Sequence, residues 1–228
     1  MSRLESEKAL AAARAVDEVR AGMLVGLGTG STAAYAVKSL SDRIRQGLRI
    51  TAVATSQATE TLARRLQVPL VPFQRISSVD LTIDGADEID NQFQAIKGGG
   101  GALLREKVIG TASTRMIVIA DSSKLVPQLG KFPLPAEVVP FATEFARARL
   151  AELGASVTLR VAGAAPFLTD QGNHILDATW SKLASPSEIA AALAAIPGIV
   201  EHGLFLDQID TIMIARGDTV EVRHRGQA

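Results

Sequence analysis

Apolar positions along this chain recur at two spacings that alternate through its first half. Leu10, Ala13, Val16 and Val19 fall at helical spacing within 4–20 and predict an opening amphipathic helix. Residues 23–28 form a short apolar run ending in glycine, read as a buried strand, after which Ser31 or Thr32 caps a helix to 46. A strand over 48–54 and a helix over 57–67, with Ala58, Leu62 and Leu66 aligned, come next. Strands over 68–73 and 81–84, a helix over 102–112 and a strand over 115–120 continue the series. Strands alternating with helices predict a Rossmann-like parallel sheet with helices on both faces, an α/β fold.

The rhythm changes after Gly130-Lys131-Phe132-Pro133-Leu134-Pro135, a proline-marked connector. Beyond it the pattern predicts a strand at 138–140, a helix at 143–153 and strands at 157–160 and 174–178. A helix at 186–195 and a strand at 199–204 complete the set. Strand-helix-strand-strand-helix-strand is the split βαβ pattern of a small α+β ferredoxin-like unit. Residues 209–223 hold one or two strands expected to return to the first domain. The expected division is therefore a catalytic domain over 1–129 and 207–228, and a smaller one over 130–206 with a role in oligomerisation.

Composition narrows the function classes. The chain has 228 residues, 47% of them hydrophobic, with 24 basic residues balancing 24 acidic ones and only 4% aromatic. A nucleic-acid surface calls for a basic face and stacking rings, so none is expected. No apolar run reaches the ~18 residues of a membrane span. The opening residues carry acid and lack an apolar core, so no export signal is expected. With no cysteine there is no thiolate chemistry. These readings predict a cytoplasmic enzyme.

The stretch Lys97-Gly98-Gly99-Gly100-Gly101-Ala102-Leu103-Leu104-Arg105-Glu106-Lys107 is the strongest chemical signal. Glycine loses more backbone entropy on folding than any other residue, so consecutive glycines mark a loop whose backbone approaches a ligand closely. Loop amides, a helix N-terminus and the Lys97 ammonium together make an anion site. Gly26-Leu27-Gly28-Thr29-Gly30-Ser31-Thr32 also follows a strand and opens a helix, where an α/β sheet binds ligands. It lacks the third glycine and the later acid of a dinucleotide fingerprint, and no lysine precedes Ser31 as a phosphate-loop pattern requires. What remains is a phosphate cradle of backbone amides and the Thr29, Ser31 and Thr32 hydroxyls, or a ligand-free turn.

Asp84-Gly85-Ala86-Asp87-Glu88-Ile89-Asp90 ends a strand whose Leu81 and Ile83 are read as buried. Acids at the carboxyl end of such a strand face the ligand crevice. Asp84 lies nearest the sheet, and the Gly85-Ala86 step can turn Asp87 back to it, while Glu88 and Asp90 are expected to face water. An accidental acidic turn is the alternative; the spacing does not fit a calcium loop. On a helical wheel Leu104, Val108 and Ala112 share one face, and Glu106 projects opposite among Leu103, Ile109 and Gly110. A helix apolar on both sides is expected to be buried. Desolvation there would raise the pKa of a carboxylate towards that of a general base, unless an ion pair with Arg105 or Lys107 claims it. Lys97 and Lys124 are the cations best placed for a phosphate or an oxyanion, and Lys8 on the opening helix is a further candidate. His174, His202 and His224 show no metal-ligand spacing and are read as structural.

Taken in order, Gly28-Thr29-Gly30-Ser31-Thr32, Asp84-Gly85-Ala86-Asp87-Glu88-Ile89 and the Lys97–Lys107 stretch resemble the type A ribose-5-phosphate isomerases. Ser123-Lys124, Leu129-Gly130-Lys131-Phe132-Pro133-Leu134-Pro135 and Gly203-Leu204-Phe205 continue the match, which runs over essentially the whole chain. The resemblance implies an aldose–ketose isomerase that interconverts ribose 5-phosphate and ribulose 5-phosphate through an enediolate. It implies Glu106 as the base moving a proton between C2 and C1, and Asp84 and Asp87 as partners of sugar hydroxyls. Lys97, with Lys124, would stabilise the oxyanion. Thr29, Gly30, Ser31 and Thr32, with the amides of Gly98, Gly99 and Gly100, would hold the phosphate; Gly85, Ala86 and Lys8 complete the implied substrate contacts. It implies no metal or organic cofactor, no nucleic-acid or membrane partner, and a homodimer or tetramer.

Two other readings fit these residues less well. A coenzyme A transferase would use its glutamate as nucleophile and calls for a longer chain, often of two related halves, and no such repeat is present. A sugar-phosphate sensor of a transcription regulator calls for a basic helix-turn-helix segment that this neutral chain lacks.

Overall fold

The computed structural model describes residues 2–183 and 185–226; Met1, Ala184, Gln227 and Ala228, which the expected domain spans include, lie outside the described residues. In chain order, α1 (Arg3–Val16), β1 (Leu24–Leu27), α2 (Ser31–Arg45), β2 (Thr51–Ala54), α3 (Gln57–Arg65) and β3 (Leu81–Gly85) come first. Next are β4 (Glu88–Ile89), β5 (Ala95–Ile96), α4 (Leu103–Thr111), β6 (Met116–Asp121), β7 (Leu134–Val138) and α5 (Thr143–Glu152). Then come β8 (Ser156–Leu159), β9 (Val161–Ala162), β10 (Ala165–Pro166), β11 (His174–Thr179) and α6 (Pro186–Ala194). Finally, β12 (Ile199–His202), β13 (Leu204–Phe205), β14 (Thr211–Arg216) and β15 (Thr219–His224) close the chain.

The chain divides into two compact units: the described residues of Met1–Ala86, Arg105–Leu125 and Asp207–Ala228, and those of Asp87–Leu104 and Val126–Leu206. The first is built on a six-stranded sheet in the order β15-β14-β6-β3-β1-β2, parallel except for the antiparallel edge strand β15. Strand alternation explains why helices cover both faces. Val25, Leu27 and Ala52 point into a cluster with Ala12 and Val16 of α1, Val37 and Leu40 of α2 and Ala63 of α3. Val53, one position on from Ala52, packs instead with Val79 and with Ile109 of α4. The chain leaves β1 towards β2 on one side and returns past it to β3 on the other. The carboxyl edge between β1 and β3 is thus a topological switch point, where α/β sheets take ligands.

The second unit is built on a four-stranded antiparallel sheet, β12-β7-β11-β8, with α5 and α6 as its crossovers. Numbered within the unit the strand order is 4-1-3-2, that of a ferredoxin-like βαββαβ fold. Its core takes Ala136 and Val138 from β7, Leu176 from β11, Leu150 from α5 and Leu193 from α6. A three-stranded ribbon, β13-β5-β4, and the β9-β10 hairpin belong to the same unit.

Several expectations are corrected. No strand runs over 68–73: Leu70 makes one bridge to Ala52, because Pro69 and Pro72 have no N–H for a ladder and the chain turns into a 3₁₀ segment at Phe73–Arg75. The 130–135 segment is only partly a connector, since β7 begins at Leu134 and the predicted strand at 138–140 starts four residues late. Apolar Leu134, Ala136 and Val138 alternate with Pro135 and Glu137, and Pro135 still accepts a bond from the Gly203 amide at its carbonyl. The strand over 199–204 is broken at Gly203, whose backbone lies so close to Lys97 O and the Pro135 ring that no Cβ would fit. In α1 the buried face is Ala11, Ala12, Ala15 and Val16, with Ala13 turned to solvent.

Candidate active site

Three loops converge on the carboxyl edge of the first unit's sheet, following β1, β3 and β6, which are neighbours in it. Gly28 leaves β1, and Asp84 is the fourth residue of β3, fully buried. Asp84 Oδ1 accepts from the Thr29 amide at 3.0 Å and from the Gly85 amide at 2.7 Å, a carboxylate laid across the switch point. A Cβ on Gly28 would stand 2.0 Å from Asp84 Oδ1 and 2.5 Å from its Cα, so the approach exists only because residue 28 is glycine.

Gly30 then opens α2, whose first turn presents Ser31 and the buried Thr32. Lys8 on α1 reaches this turn: its Nζ donates to Ser31 Oγ at 3.1 Å and to Glu5 Oε1 at 2.7 Å. The Tyr35 hydroxyl donates to the other Glu5 oxygen at 2.7 Å. The Lys8 bond, followed by the Tyr35 bond, holds the Glu5 carboxyl below its ordinary range, and the bond to Glu5 raises the Tyr35 phenol. Lys8 is therefore a cation held at the head of a helix whose N-terminal amides already favour an anion.

Behind this turn stands a cluster that sequence reasoning missed. Thr55, Ser56 and Thr59, all buried, follow β2 and open α3. The Thr29 hydroxyl lies 2.7 Å from Thr55 Oγ1 and donates to Ser56 Oγ at 2.8 Å, while Thr59 Oγ1 donates to Gly28 O at 2.8 Å. The signal was a run of hydroxyls just after a strand, which reads equally well as an ordinary helix cap; Ser56 does cap α3, accepting from the Thr59 amide.

Helix α4 runs back from this edge, because Ser113 just past its end makes a bridge to Val79, two residues ahead of β3. Glu106 lies towards its N-terminal end and is 3% exposed. The expectation that both faces of this helix are buried is corrected: Leu103, Glu106, Ile109 and Gly110 face inward, while Val108 is 44% exposed. The face bearing the carboxylate is the buried one. After β6 the Asp121 carboxylate gathers the amide and hydroxyl of Ser123, and the Lys124 amide donates to Asp121 O. This turn is tied to α1 by Glu7, a buried carboxylate that accepts from the Ser122 and Gly217 amides and from Arg3. Those bonds, led by the Gly217 amide, lower its pKa to about 2.

Within the second unit, Asp87 Oδ2 accepts from the Gly99 amide at 2.7 Å, so this acid supports the glycine loop directly. Lys97 is 2% exposed, its ammonium 5.3 Å from the centre of the Phe205 ring and its amide bonded to Gly203 O. Gly98 and Gly101 close a turn, with Gly101 N donating to Gly98 O at 2.9 Å. Glu88 and Asp90, expected to face water, are both buried. Glu88 accepts from the Gly130 and Phe132 amides, and Asp90 from those of Gln92 and Gln94. These are turn-holding carboxylates that alternation along a strand could not reveal. His174, His202 and His224 bond respectively to Thr143, the Leu204 amide and Thr211.

The parallel sheet with a loaded carboxyl edge and an appended ferredoxin-like unit defines an α/β enzyme. A family model described as ribose 5-phosphate isomerase A (phosphoriboisomerase A) matches residues 51–219. The ribose-5-phosphate isomerase A of Sphingopyxis alaskensis is 77% identical over 228 residues, covering 100% of both chains. That of Cereibacter sphaeroides (strain ATCC 17025) is 50% identical over 99% of this chain and 94% of its own. Among solved structures, a D-ribose-5-phosphate isomerase in complex with phospho-erythronic acid superimposes with a TM-score of 0.94 at 35% identity, over 99% of this chain and 100% of that one. The Methanocaldococcus jannaschii ribose 5-phosphate isomerase A gives 0.92 at 36%, over 96% and 99%. This chain belongs to the ribose 5-phosphate isomerase A family, and it is an isomerase.

Proposed function

We propose that the residues gathered above carry the interconversion of D-ribose 5-phosphate and D-ribulose 5-phosphate through an enediolate. Glu106 takes the C2 proton of the open-chain aldose and returns it to C1. Burial of its helix face keeps water from competing for that proton. As the C2–H bond breaks, electrons move onto the C1 oxygen, and Lys97 stabilises that charge. Since Lys8 on Ser31 already supplies a cation at the α2 head, we assign the glycine loop to this charge and not, as the resemblance implied, to the phosphate. Asp84 and Asp87 accept from sugar hydroxyls and relay the hydroxyl proton that must leave O2 and reach O1. Ser31, Thr32, Gly30 and the α2 amides, with Lys8, hold the phosphate, and Lys124 adds positive charge at the same sheet edge. Holding the phosphate fixes how far the reacting carbons lie from Glu106.

The observation that carries this reading is a single sheet edge on which a helix-head cradle and its lysine, Lys8 on Ser31, share the switch point with the buried Asp84. The protein is read as cytoplasmic; no helix among the described residues is long and apolar enough to cross a membrane. It self-associates as a homodimer or tetramer through the second unit, a role supported by that unit's exposed Phe141, Phe145 and Val161.

The test mixes purified protein with ribose 5-phosphate, in chelator and without cofactor, and follows ribulose 5-phosphate. Conversion should be rapid, and in Glu106→Gln kcat should fall about 1,000-fold or more with phosphosugar binding retained. Undiminished turnover in that variant would remove Glu106 as the base.

A further inference from the structure

We propose that Arg160 is a positioning residue of this reaction, fixing the peptide planes of the glycine loop so that the Gly100 amide, and not the loop's carbonyls, meets the developing oxyanion. The proposal rests on the assignment of that loop and Lys97 to the oxyanion.

Arg160 follows β8 in the second unit. Its Nη1 donates to the carbonyls of both Gly98 and Gly99, each at 3.0 Å. Its Nε and Nη2 donate to the two oxygens of Asp177 on β11, at 2.8 and 2.5 Å. The pair is largely shielded, with side chains 16% and 21% exposed. The Phe167 ring lies 6.0 Å from the guanidinium, and the Phe167 amide donates to Arg160 O. The same ring stands 2.4 Å from where a Cβ on Gly101 would be. One arginine thus gathers the first two carbonyls of the loop, while the ring beside it bounds the loop's end.

Peptide planarity converts this grip into an orientation. In a trans peptide the C=O and N–H point to opposite edges of one plane. The Gly98–Gly99 peptide is pinned on both edges, by Arg160 at its oxygen and by Asp87 at its N–H. In the Gly99–Gly100 peptide the oxygen is turned to Arg160, so the N–H of the exposed Gly100 is turned away from it. Four glycines in succession leave these planes free to flip, since no side chain opposes either orientation. A flip would present a carbonyl dipole to an anion and repel it. Holding two carbonyls and a carboxylate at once needs the planar fork of arginine; a lysine offers one point charge.

The experiment compares Arg160→Lys, Arg160→Ala and Lys97→Ala with the parent enzyme, each checked for folding by its melting temperature. It measures kcat and KM for ribose 5-phosphate, and inhibition by phospho-erythronic acid and by inorganic phosphate. Arg160→Lys should lose about 100-fold in kcat, the scale of one misdirected oxyanion donor. Its KM and its inhibition by inorganic phosphate should stay within about threefold, while phospho-erythronic acid weakens along with kcat. Arg160→Ala should regain activity with millimolar guanidinium and not with ammonium. Unchanged kcat in folded Arg160→Lys and Arg160→Ala would overturn the proposal, as would a loss that guanidinium does not relieve. If Lys97→Ala also leaves kcat and analogue binding intact, the oxyanion assignment itself has failed. If only the arginine variants are silent, the failure is confined to Arg160.

Discussion

The two glycine-bearing loops that we propose serve the reaction are held by different chemistry. The loop over 28–32 is buttressed mainly by neutral hydroxyls, Thr55, Ser56 and Thr59, which bond its Thr29 side chain and its Gly28 carbonyl, beside the Asp84 carboxylate on its Thr29 amide. The loop over 98–101 is held by charges, with Asp87 on one amide and the Arg160–Asp177 pair on two carbonyls. On our proposal this loop meets a dianionic phosphate, and apart from Asp84 on the Thr29 amide its supports are hydroxyls, which rigidify it without adding a net charge. A loop meant for charge that appears only during reaction tolerates charged supports, because what matters there is the fixed direction of its dipoles. Neutral supports suit binding, and charged supports suit preorganisation.

Adding one carbon to each loop breaks the comparison most severely. In Gly28→Ala the new Cβ meets Asp84 Cα at 2.5 Å, a backbone atom of a central strand that cannot withdraw. The expected loss is about 4 kcal/mol or more, seen as poor soluble yield or a collapsed melting temperature. In Gly101→Ala the backbone stands at φ +80° and the obstacle is the Phe167 ring, which can swing aside. About 2 kcal/mol is expected there, with the fold kept and kcat reduced. Equal tolerance of the two substitutions, measured by urea unfolding, would contradict the view that Gly28 is wedged against the sheet.

What the sequence made legible follows from how each loop is held. Glycine and the residues bonded to it within a few positions are visible as motifs, so the 28–32 and 97–107 stretches and Asp84 could be read directly. Alternation and helical spacing likewise exposed the doubly covered sheet and the ferredoxin-like order. The supports were invisible because they come from elsewhere in the chain: Thr59 is 31 residues from Gly28, and Arg160 is 62 from Gly98. Asp90 and Glu88 were misjudged for a related reason, since a carboxylate that gathers loop amides looks in sequence like one facing water. The inward side of α4 was misread because its two faces are almost equally apolar, and only the packing of Ile109 on Gly26 and Val53 decides between them.

Charge is also used as a support elsewhere in the first unit, at Glu7, and pH can expose it. Glu7 gathers the Ser122 and Gly217 amides with its pKa lowered from 4.5 to about 2. A group whose folded pKa is depressed stabilises above its unfolded pKa and ceases to do so as pH falls through the folded one. Glu7→Gln should therefore cost about 2 kcal/mol at pH 7, the worth of charged hydrogen bonds, or roughly 4–8 °C in melting temperature. The gap between parent and variant should narrow steadily as pH drops from 4.5 towards 2. A gap that stays constant over that window would mean the amides bind the side chain for its shape and not its charge.

The smallest effect is the sharpest test of the comparison. Thr59→Val keeps the side chain's volume and removes the hydroxyl that donates to Gly28 O. Its methyl cannot replace that bond, so the Gly28 carbonyl loses a donor and the cradle gains freedom at a cost of about 1 kcal/mol. Because this loop is assigned to the phosphate, which is gripped alike in ground and transition states, the loss should appear in KM, raised about fivefold, with kcat within twofold. Inhibition by inorganic phosphate should weaken by the same factor. Arg160→Lys is expected to do the reverse, lowering kcat and sparing KM. Should Thr59→Val lower kcat and leave KM alone, the two loops would have exchanged roles, and neutral support would no longer mark the binding loop.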